Sequence, residues 1–467
     1  MIWAILLLGL ILRLISLDQS LWLDEAINVL ATQKYSFAGM ITEYAKADFH
    51  PPGFFIILWF WTKLFGYSEI AVRIPSVIFG VVTIGSIYLI GKKLHSRKAG
   101  LIAALLLSIN PLHIYYSQEA RMYALATLAV SINMFLVIKF VREEKFNLIF
   151  LAISNLAVLA SDYVAYFIFP AQAFFLLMIG KKEIIRKWTI ALVSALALGL
   201  WWLPVFLNQL NVGSIASANL PTWKFVAGAF DFKTLPLTFV KFIIGRINLS
   251  DKLTYAAVLL PLCTLWGYLL LRGVKSWSNS LRKLLIVWIV IPLALATLIS
   301  FVVPVYNYFR VLYVLPAFII LLSLGILSFE SKKKYIFLSA VVLIELFCAL
   351  VYLLNPAYQR EDWKGLVNYF ENLDSIILFE SSGTLPPFDY YAKGRLKAKG
   401  ALKDFPIRDE RGVVDLEDGE KDVYLVDYLV QISDPDRLVA KKLTGLGYNV
   451  SDTKDFRGVG FVYHYTK

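Results

Sequence analysis

The sequence predicts an all-α polytopic membrane bundle with a long first outer loop, followed by a small C-terminal α/β extracytoplasmic domain. Three observations favour this class. Hydrophobic residues make up 58% of the chain and charged residues 17%, against about 25% charge in soluble proteins. Basic clusters recur at alternate ends of the apolar runs, and the composition turns polar after Asn355. The formal net charge of +12 is then explained by positive cytoplasmic loops, so no nucleic-acid partner is required.

The first apolar run, Met1 to Leu17, is predicted to be a retained span rather than a cleaved signal peptide. It has no cationic start and no Ala-x-Ala site, and it contains Arg13. A charge is costly in hydrocarbon, so Arg13 should face the bundle interior or reach a polar interface. The run Gly53 to Phe65 is shorter than the ~20 residues of a span. We therefore expect it to form an amphipathic helix at the outer surface, within a first outer loop at residues 18–71.

The remaining apolar runs bring the total to about eleven spans. In chain order they are residues 73–94, 99–116, 122–141, 146–160, 164–179, 188–207, 255–271, 284–303, 311–329 and 335–354. A second outer loop, residues 208–253, is expected to hold a short helix near Leu237 to Ile244. Lysine and arginine cluster at residues 92–98, 181–187, 272–283 and 332–334. This pattern predicts a plasma-membrane protein with a cytoplasmic N-terminus and an outer C-terminus.

Residues 1–354 are thus predicted to be the membrane domain, and residues 355–467 a soluble domain. Within the soluble domain, Ser375 to Phe379 and Asp422 to Val426 are predicted to be buried strands, and Gly458 to Tyr465 a terminal strand. The start signal Ser433-Asp434-Pro435 predicts a helix over Arg437 to Leu446. This domain has no phosphate-binding loop and no metal-ligand spacing in its sequence.

Polar residues gather at the outer ends of the predicted spans. Carboxylates, tyrosines and arginines at one membrane depth suit a substrate that carries a phosphate and a hydroxyl-rich group, so we expect these side chains to ring one outward-facing cavity. The guanidinium fork matches two phosphate oxygens at once, which makes the arginines natural phosphate partners. The candidates are Asp24, Glu25, His50, Arg73, Glu119, Arg121, Tyr123, Asp162 and Arg310.

Structural alternatives stand beside these functional interpretations. Asp24 could be a helix cap and Glu25 a structural acid. His50 before two prolines could close a turn, and Glu119 could pair within its helix. Tyr115, Tyr116 and Tyr123 are also typical of an interfacial aromatic belt. Asp162 is a candidate only by its position.

Four motifs in this order resemble a known family. They are Asp24-Glu25, His50-Pro51-Pro52, the stretch Ser68-Glu69-Ile70-Ala71-Val72-Arg73-Ile74-Pro75-Ser76, and Tyr115-Tyr116-Ser117-Gln118-Glu119-Ala120-Arg121-Met122-Tyr123. The chain resembles the bacterial membrane glycosyltransferases of the GT-C fold, relatives of the dolichyl-phosphate-mannose protein mannosyltransferases and of the lipid A aminoarabinose transferase. The resemblance covers roughly the first 350 residues. A later segment, Arg310 to Pro316 with Tyr313, is similar to a family segment near the polyprenyl-phosphate site.

The resemblance implies inverting sugar transfer from a polyprenyl-phosphate sugar to an acceptor hydroxyl of a protein, lipid or polysaccharide on the non-cytoplasmic face. Asp24 matches the family's base, whereas Glu25 has a supporting role. His50 stands where the lipid A branch has a lysine, which puts that phosphate contact in doubt. Phe49 stands where that branch has a metal-binding glutamate, so the metal is not carried over, and a divalent cation remains an open alternative.

Two other functions compete. A transporter or lipid-handling protein would also carry charges inside a bundle, although it would more often show internal repeats, and none stands out. A transferase of a different group, such as a phospholipid head group, is the third alternative.

Overall fold

In the computed structural model the described residues are 1–143, 146–219, 221–275, 280–373, 375–403, 410–414 and 422–467. The chain divides into two compact units. The first comprises Met1–Leu17, Phe37–Ser214 and Ala227–Tyr358, and the second comprises Asp18–Ser36, Ile215–Val226 and Gln359–Lys467. Residues 18–36 thus fold with the C-terminal domain, although the sequence placed them with the membrane helices.

The first unit is helical, and one of its helices, Leu203–Asn219, continues past Ser214 into the residues of the second unit. Its helices are Ile2–Leu14, Phe37–Gly39, Met40–Tyr44 (a π-helix), Ala45–Ala47, Gly53–Phe65, Glu69–Leu94, Arg97–Ile109, Pro111–Ser117, Tyr123–Arg142, Leu148–Ser161, Val164–Phe167, Ile168–Ile179, Lys182–Gly199, Leu200–Trp202, Leu203–Asn219, Thr234–Ile244, Lys252–Lys275, Ser280–Ile299, Leu312–Val314, Leu315–Leu327, Ser331–Leu354 and Pro356–Tyr358. Two features differ from the sequence prediction. Helix continues to Asn219, past the start predicted for the second outer loop, and the span predicted over 99–116 is broken.

The break at Asn110 follows from local chemistry. The Asn110 side chain accepts a hydrogen bond from the His113 amide at 3.1 Å, and Pro111 occupies the first turn of the next helix. Asparagine before proline is a helix start, so the chain bends by 63° between Arg97–Ile109 and Pro111–Ser117.

Five helices of the described residues are long and apolar enough to cross a membrane, or six if the bent pair counts as one span. Seven shorter apolar helices accompany them, among them Gly53–Phe65, which has the bounds expected for the surface helix. The structure therefore supports a helical membrane protein. The count of about eleven spans remains a prediction.

Arg13 faces the interior of the first unit, as its cost in hydrocarbon requires. Its side chain is 0% exposed. The guanidinium donates to the carbonyls of Gly9 and Ser108 at 2.8 and 3.0 Å and to the Ser117 hydroxyl at 3.1 Å. It also lies 2.6 Å from Nδ1 of His113. The dipoles of these carbonyl and hydroxyl groups thus take the place of the water that would otherwise solvate the guanidinium.

The second unit contains a five-stranded sheet. Its strands are β1 (Ile376–Phe379), β2 (Ala398–Gly400), β3 (Asp422–Val426), β4 (Asn449–Phe456) and β5 (Gly460–Thr466). They lie in the order β2-β1-β3-β5-β4. The β1 strand pairs in parallel with β2 and β3, whereas β5 pairs antiparallel with β3 and β4. The small α/β domain predicted from the sequence is confirmed, including its two central strands.

The helices of the second unit are Leu23–Lys34, Pro221–Val226, Trp363–Phe370, Ser382–Thr384, Pro386–Ala392, Glu410–Gly412, Val430–Ser433 and Leu438–Gly445. Successive strand residues point to opposite faces, so the sheet buries two clusters. Ile377 and Phe379 pack with Trp363 on one face. Leu378 and Leu425 pack with Leu443 on the other.

Candidate functional site

Asp24 and Glu25 lie in the first turn of the helix Leu23–Lys34, in the second unit. Both acids suit the positive end of the helix dipole. Glu25 is 0% exposed, and its carboxylate accepts a long hydrogen bond of 3.4 Å from the Trp22 amide. Asp24 is half-buried. The two acids therefore have different surroundings. Glu25 supports the helix start, and Asp24 has the more accessible carboxylate.

His50 pairs with Asp48, a residue that the sequence prediction missed. Nδ1 of His50 lies 2.5 Å from Oδ1 of Asp48, whose side chain is 19% exposed. Burial by itself would raise the pKa of the Asp48 carboxyl, but the charge and hydrogen bond of His50 and the charge of Arg121 hold that pKa below its ordinary value. The same acid therefore contacts His50 and lies within the field of Arg121, which is buried and 6.0 Å above the ring of Tyr123. An acid two residues before a His-Pro-Pro motif was the signal available in the sequence.

Asp162 and Tyr313 meet through the backbone of Val164. Asp162 Oδ1 accepts from the Val164 amide at 2.8 Å, and the Tyr313 hydroxyl donates to the Val164 carbonyl at 2.7 Å. Both side chains are buried. The second oxygen of Asp162 has no hydrogen-bond partner among the described residues. This acid therefore has an acceptor left for a hydroxyl.

The neighbouring Tyr163 connects these two groups. Its hydroxyl receives a hydrogen bond from Trp202 at 2.7 Å and lies 2.5 Å from Oε1 of Gln209. The charges of Asp48 and Asp162 both act on Tyr163. His50, Arg121, Asp162 and Tyr313 are thus gathered around Asp48 and Tyr163 within the first unit.

Aromatic rings and one further cation surround Glu119 and Tyr123. The Tyr123 ring packs on Tyr116 and Phe309 at 5.4 and 5.1 Å. Arg246, also missed by the sequence prediction, hydrogen-bonds to the Tyr115 hydroxyl and lies 4.6 Å from that ring. The charge of the Glu119 carboxylate acts on Arg246. The residue as a whole is exposed, whereas its guanidinium is engaged with the Tyr115 hydroxyl.

Two further predicted residues, Arg73 and Arg310, hydrogen-bond to backbone carbonyls. Arg73 is buried and donates to the Leu17 carbonyl at 2.8 Å, a contact that anchors the end of the first helix. Arg310 donates to the Pro304 carbonyl at 3.3 Å, and its Nε has no partner among the described residues.

A preformed metal site is not found in the described part of the chain, where no three His, Cys, Asp or Glu side chains have suitable geometry. Asp48 and His50 bind one another, and Phe49 between them offers no ligand atom. A carboxylate and an imidazole alone are fewer protein ligands than a tightly held cation needs.

The fold is that of the GT-C membrane glycosyltransferases. The crystal structure of ArnT from Cupriavidus metallidurans bound to undecaprenyl phosphate matches with a TM-score of 0.59 at 12% identity, over 99% of this chain and 97% of that one. The archaeal oligosaccharyltransferase AglB from Archaeoglobus fulgidus, in complex with an inhibitory peptide and a dolichol-phosphate, matches with a TM-score of 0.56 at 12% identity, over 99% of this chain and 74% of that one.

Sequence comparison supports the same relationship over part of the chain. Residues 49–206 match the family model of the dolichyl-phosphate-mannose-protein mannosyltransferases. An uncharacterized protein of Aquifex aeolicus (strain VF5) is 25% identical over 256 residues, which cover 50% of this chain and 50% of that protein. The match thus spans about half the length of this relative. The resemblance to the GT-C superfamily drawn from the motifs is confirmed.

Proposed function

We propose that this protein transfers a sugar, with inversion, from a polyprenyl-phosphate-linked donor to an acceptor hydroxyl on the non-cytoplasmic face of the plasma membrane. This proposal is based on the match of residues 49–206 to the mannosyltransferase model. The chain also has the GT-C fold over its whole length. The lipid phosphates named with the two similar structures support the donor class.

The reaction is a single displacement. The acceptor oxygen attacks the anomeric carbon as the bond from that carbon to the phosphate oxygen breaks, and the electron pair leaves with the polyprenyl phosphate. Asp24 takes the acceptor proton as general base. It is the half-buried acid of the pair, whereas the Glu25 carboxylate is engaged at the helix start.

The leaving phosphate gains charge, which cations stabilise. Arg121 and His50 both act on the single acid Asp48, and the guanidinium of Arg121 can match two phosphate oxygens at once. Arg246 adds a second guanidinium beside Tyr115. We assign the phosphate to these side chains in the first unit, and we assign hydroxyl groups of the substrate to Asp162, whose second oxygen accepts no hydrogen bond from the described residues.

The other predicted residues have supporting roles in this scheme. Tyr123 places its ring beside Arg121, and the charge of Glu119 acts on Arg246. Tyr313 orients Asp162 through Val164, and Arg73 and Arg310 hold backbone carbonyls. A protein, lipid or polysaccharide could each supply the acceptor hydroxyl.

The test is turnover of a panel of radiolabelled polyprenyl-phosphate sugars by the purified full chain in lipid nanodiscs. We expect Asp24→Asn to lower the rate about 10²- to 10⁴-fold, the contribution typical of a general base. Asp18→Asn, an exposed acid of the same segment, is the matched control and should keep full activity.

Two results would contradict the proposal. One is an Asp24→Asn protein as active as the wild type. The other is a wild-type protein that binds these donors without cleaving any of them, which would favour a transporter or lipid-handling protein.

A further inference from the structure

Gln118 is a buried glutamine at the end of the helix Pro111–Ser117, within the first unit. The residue is 1% exposed. The amide nitrogen of its side chain donates to the carbonyls of Arg13 and Ile15 at 3.1 and 2.7 Å. The amide oxygen accepts a hydrogen bond from the Tyr352 hydroxyl at 2.7 Å. One side chain therefore connects its own helix with the end of the first helix of the chain and with the last long helix.

These partners explain why the residue is a glutamine. The carbonyls of Arg13 and Ile15 lie at the C-terminal end of the first helix, where carbonyl groups have no partner within the helix. A side chain that meets them must donate, and the same side chain must accept from Tyr352. An amide carries two donors and an acceptor on one planar group, so glutamine fits here. A glutamate of the same shape would place its negative oxygens against two carbonyls.

The turn that follows Gln118 carries two of the candidate site residues, Glu119 and Arg121. The Arg121 amide donates to the Glu119 carbonyl at 2.8 Å, which closes a tight turn, and the next helix begins at Tyr123. Arg121 is 5% exposed, and its charge acts on Asp48. Because Arg121 lies three positions after Gln118, the fixed side chain of Gln118 limits where the Arg121 backbone can lie.

We propose that Gln118 is a positioning residue for Arg121. Its hydrogen bonds fix the turn to two neighbouring helices, and the turn holds the guanidinium where the donor phosphate binds. The inference rests on the proposed function, which assigns that phosphate to Arg121 and its neighbours. Gln118 itself has no assigned contact with the substrate.

The physical reason is the geometry of a guanidinium. It matches two phosphate oxygens at once only within a narrow range of distances and angles. If the turn is released, the Arg121 side chain samples several positions, and its hydrogen bonds to the phosphate form for only part of the time. The loss of Gln118 should therefore weaken phosphate binding through Arg121 rather than through a general loss of folding.

The experiment measures the affinity of the full chain in lipid nanodiscs for undecaprenyl phosphate, in a double-mutant cycle of Gln118→Met and Arg121→Gln. Methionine keeps the length of the side chain and removes its donors and its acceptor. We expect Gln118→Met to weaken binding about tenfold, the loss expected for one hydrogen bond to a charged group. In Arg121→Gln the same substitution should weaken binding by less than about twofold, because the group that it positions is already gone.

Gln172→Met is the matched control. Gln172 is also buried in the first unit, and its amide oxygen accepts a hydrogen bond from the Trp188 indole at 3.0 Å. The substitution removes a comparable hydrogen-bonded amide from the helix packing. We expect the affinity for undecaprenyl phosphate to stay at the wild-type value.

Tyr352→Phe is a milder variant that keeps the cycle informative if Gln118→Met disturbs folding. It removes the hydrogen bond to the amide oxygen of Gln118 and leaves those to Arg13 and Ile15 in place. We expect it to weaken binding about threefold, and again only where Arg121 is present.

A purely structural role of Gln118 predicts that Gln118→Met weakens binding by the same factor with and without Arg121. Equal factors, or an unchanged affinity, would overturn the inference. If Arg121→Gln binds as tightly as the wild type, the phosphate assignment in the proposed function fails and this inference falls with it. If Arg121→Gln binds weakly while Gln118→Met binds normally, only this inference fails.

Hydrogen exchange provides a readout that needs no ligand. The amides of residues 119–122 should exchange about tenfold faster in Gln118→Met than in the wild type, and at the wild-type rate in Gln172→Met. Equal exchange in all three proteins would show that Gln118 does not hold the turn, and it would refute the inference whatever the protein binds.

Discussion

A carboxyl group is buried at the end of β1, and its removal should stabilise the C-terminal domain. Glu380 is 0% exposed, and neither of its oxygens accepts a hydrogen bond from the described donors. Burial raises its pKa to about 9, and the charges of Asp434 and Asp427 act in the same direction. At neutral pH the group is protonated and shares its proton with Asp434, whose oxygens accept from the amides of Leu438 and Val439 at 2.9 Å.

The direction in which stability changes with pH follows from the linkage between proton binding and folding. The carboxyl has a pKa of 4.5 in its ordinary state, so the unfolded chain ionises above that pH while the folded chain stays protonated. Its contribution to stability is complete below pH 4.5 and is lost as the pH rises towards 9. Between pH 4.5 and 7, at about 1.4 kcal/mol per pH unit, the loss amounts to about 3 kcal/mol.

Glu380→Gln should avoid that loss, because an amide does not ionise and can still donate to Asp434. The measurement is amide hydrogen exchange of β1 and β3 in the full chain, with variant and wild type compared at the same pH. We expect the variant to be protected more strongly by up to about 3 kcal/mol at pH 7 and by less than about 1 kcal/mol at pH 5.

Asp436→Asn is the control for the general effect of removing an acid from this domain, since Asp436 is exposed. Equal protection of Glu380→Gln and wild type at pH 7 would refute the reasoning. So would a gain that is the same at both pH values, because only an ionisation makes the difference depend on pH.

Two further predictions concern the first unit and the orientation of the chain. Gly325→Ala should lower the thermal stability of the protein in detergent by about 1–3 kcal/mol. The reason is that the added Cβ would lie 1.9 Å from the Leu269 carbonyl oxygen. Gly267→Ala, which has open space around its Cβ, is the control and should be neutral. Equal melting of the two variants would contradict the close helix contact. In a chain whose Cys263 and Cys348 are replaced by serine, Asp18→Cys and Lys441→Cys should react with a membrane-impermeant maleimide from outside intact cells, and labelling only after lysis would contradict the proposed face.

Several elements could be predicted because their signals are local. The Gly53–Phe65 helix has the predicted bounds, and the predicted strand Asp422 to Val426 is β3. Each combines a run of apolar residues with a clear boundary. The strand β4 escaped prediction because all its residues but Phe456 are exposed, so its sequence shows no apolar face. The segment forms a strand because it pairs antiparallel with β5.

The candidate site was predictable only as a set of residue types. His50, Arg121, Asp162 and Tyr313 stood out because charges and tyrosines at span ends are unusual. The sequence did not reveal that the charge of Arg121 acts on Asp48, since the two residues are 73 positions apart, nor did it single out Arg246 in a long loop.

The sequence by itself thus determined a helical membrane protein with a small α/β domain, because hydrophobic runs and their periodicity are properties of neighbouring residues. Only the tertiary structure decided which polar side chains meet. Asp24 began as one of two adjacent acids, and the fold placed it in one compact unit with residues 359–467, where the Leu21 amide donates to the Tyr391 hydroxyl at 2.8 Å. Burial and hydrogen bonding of this kind depend on contacts between residues far apart in the sequence, which no local pattern reveals.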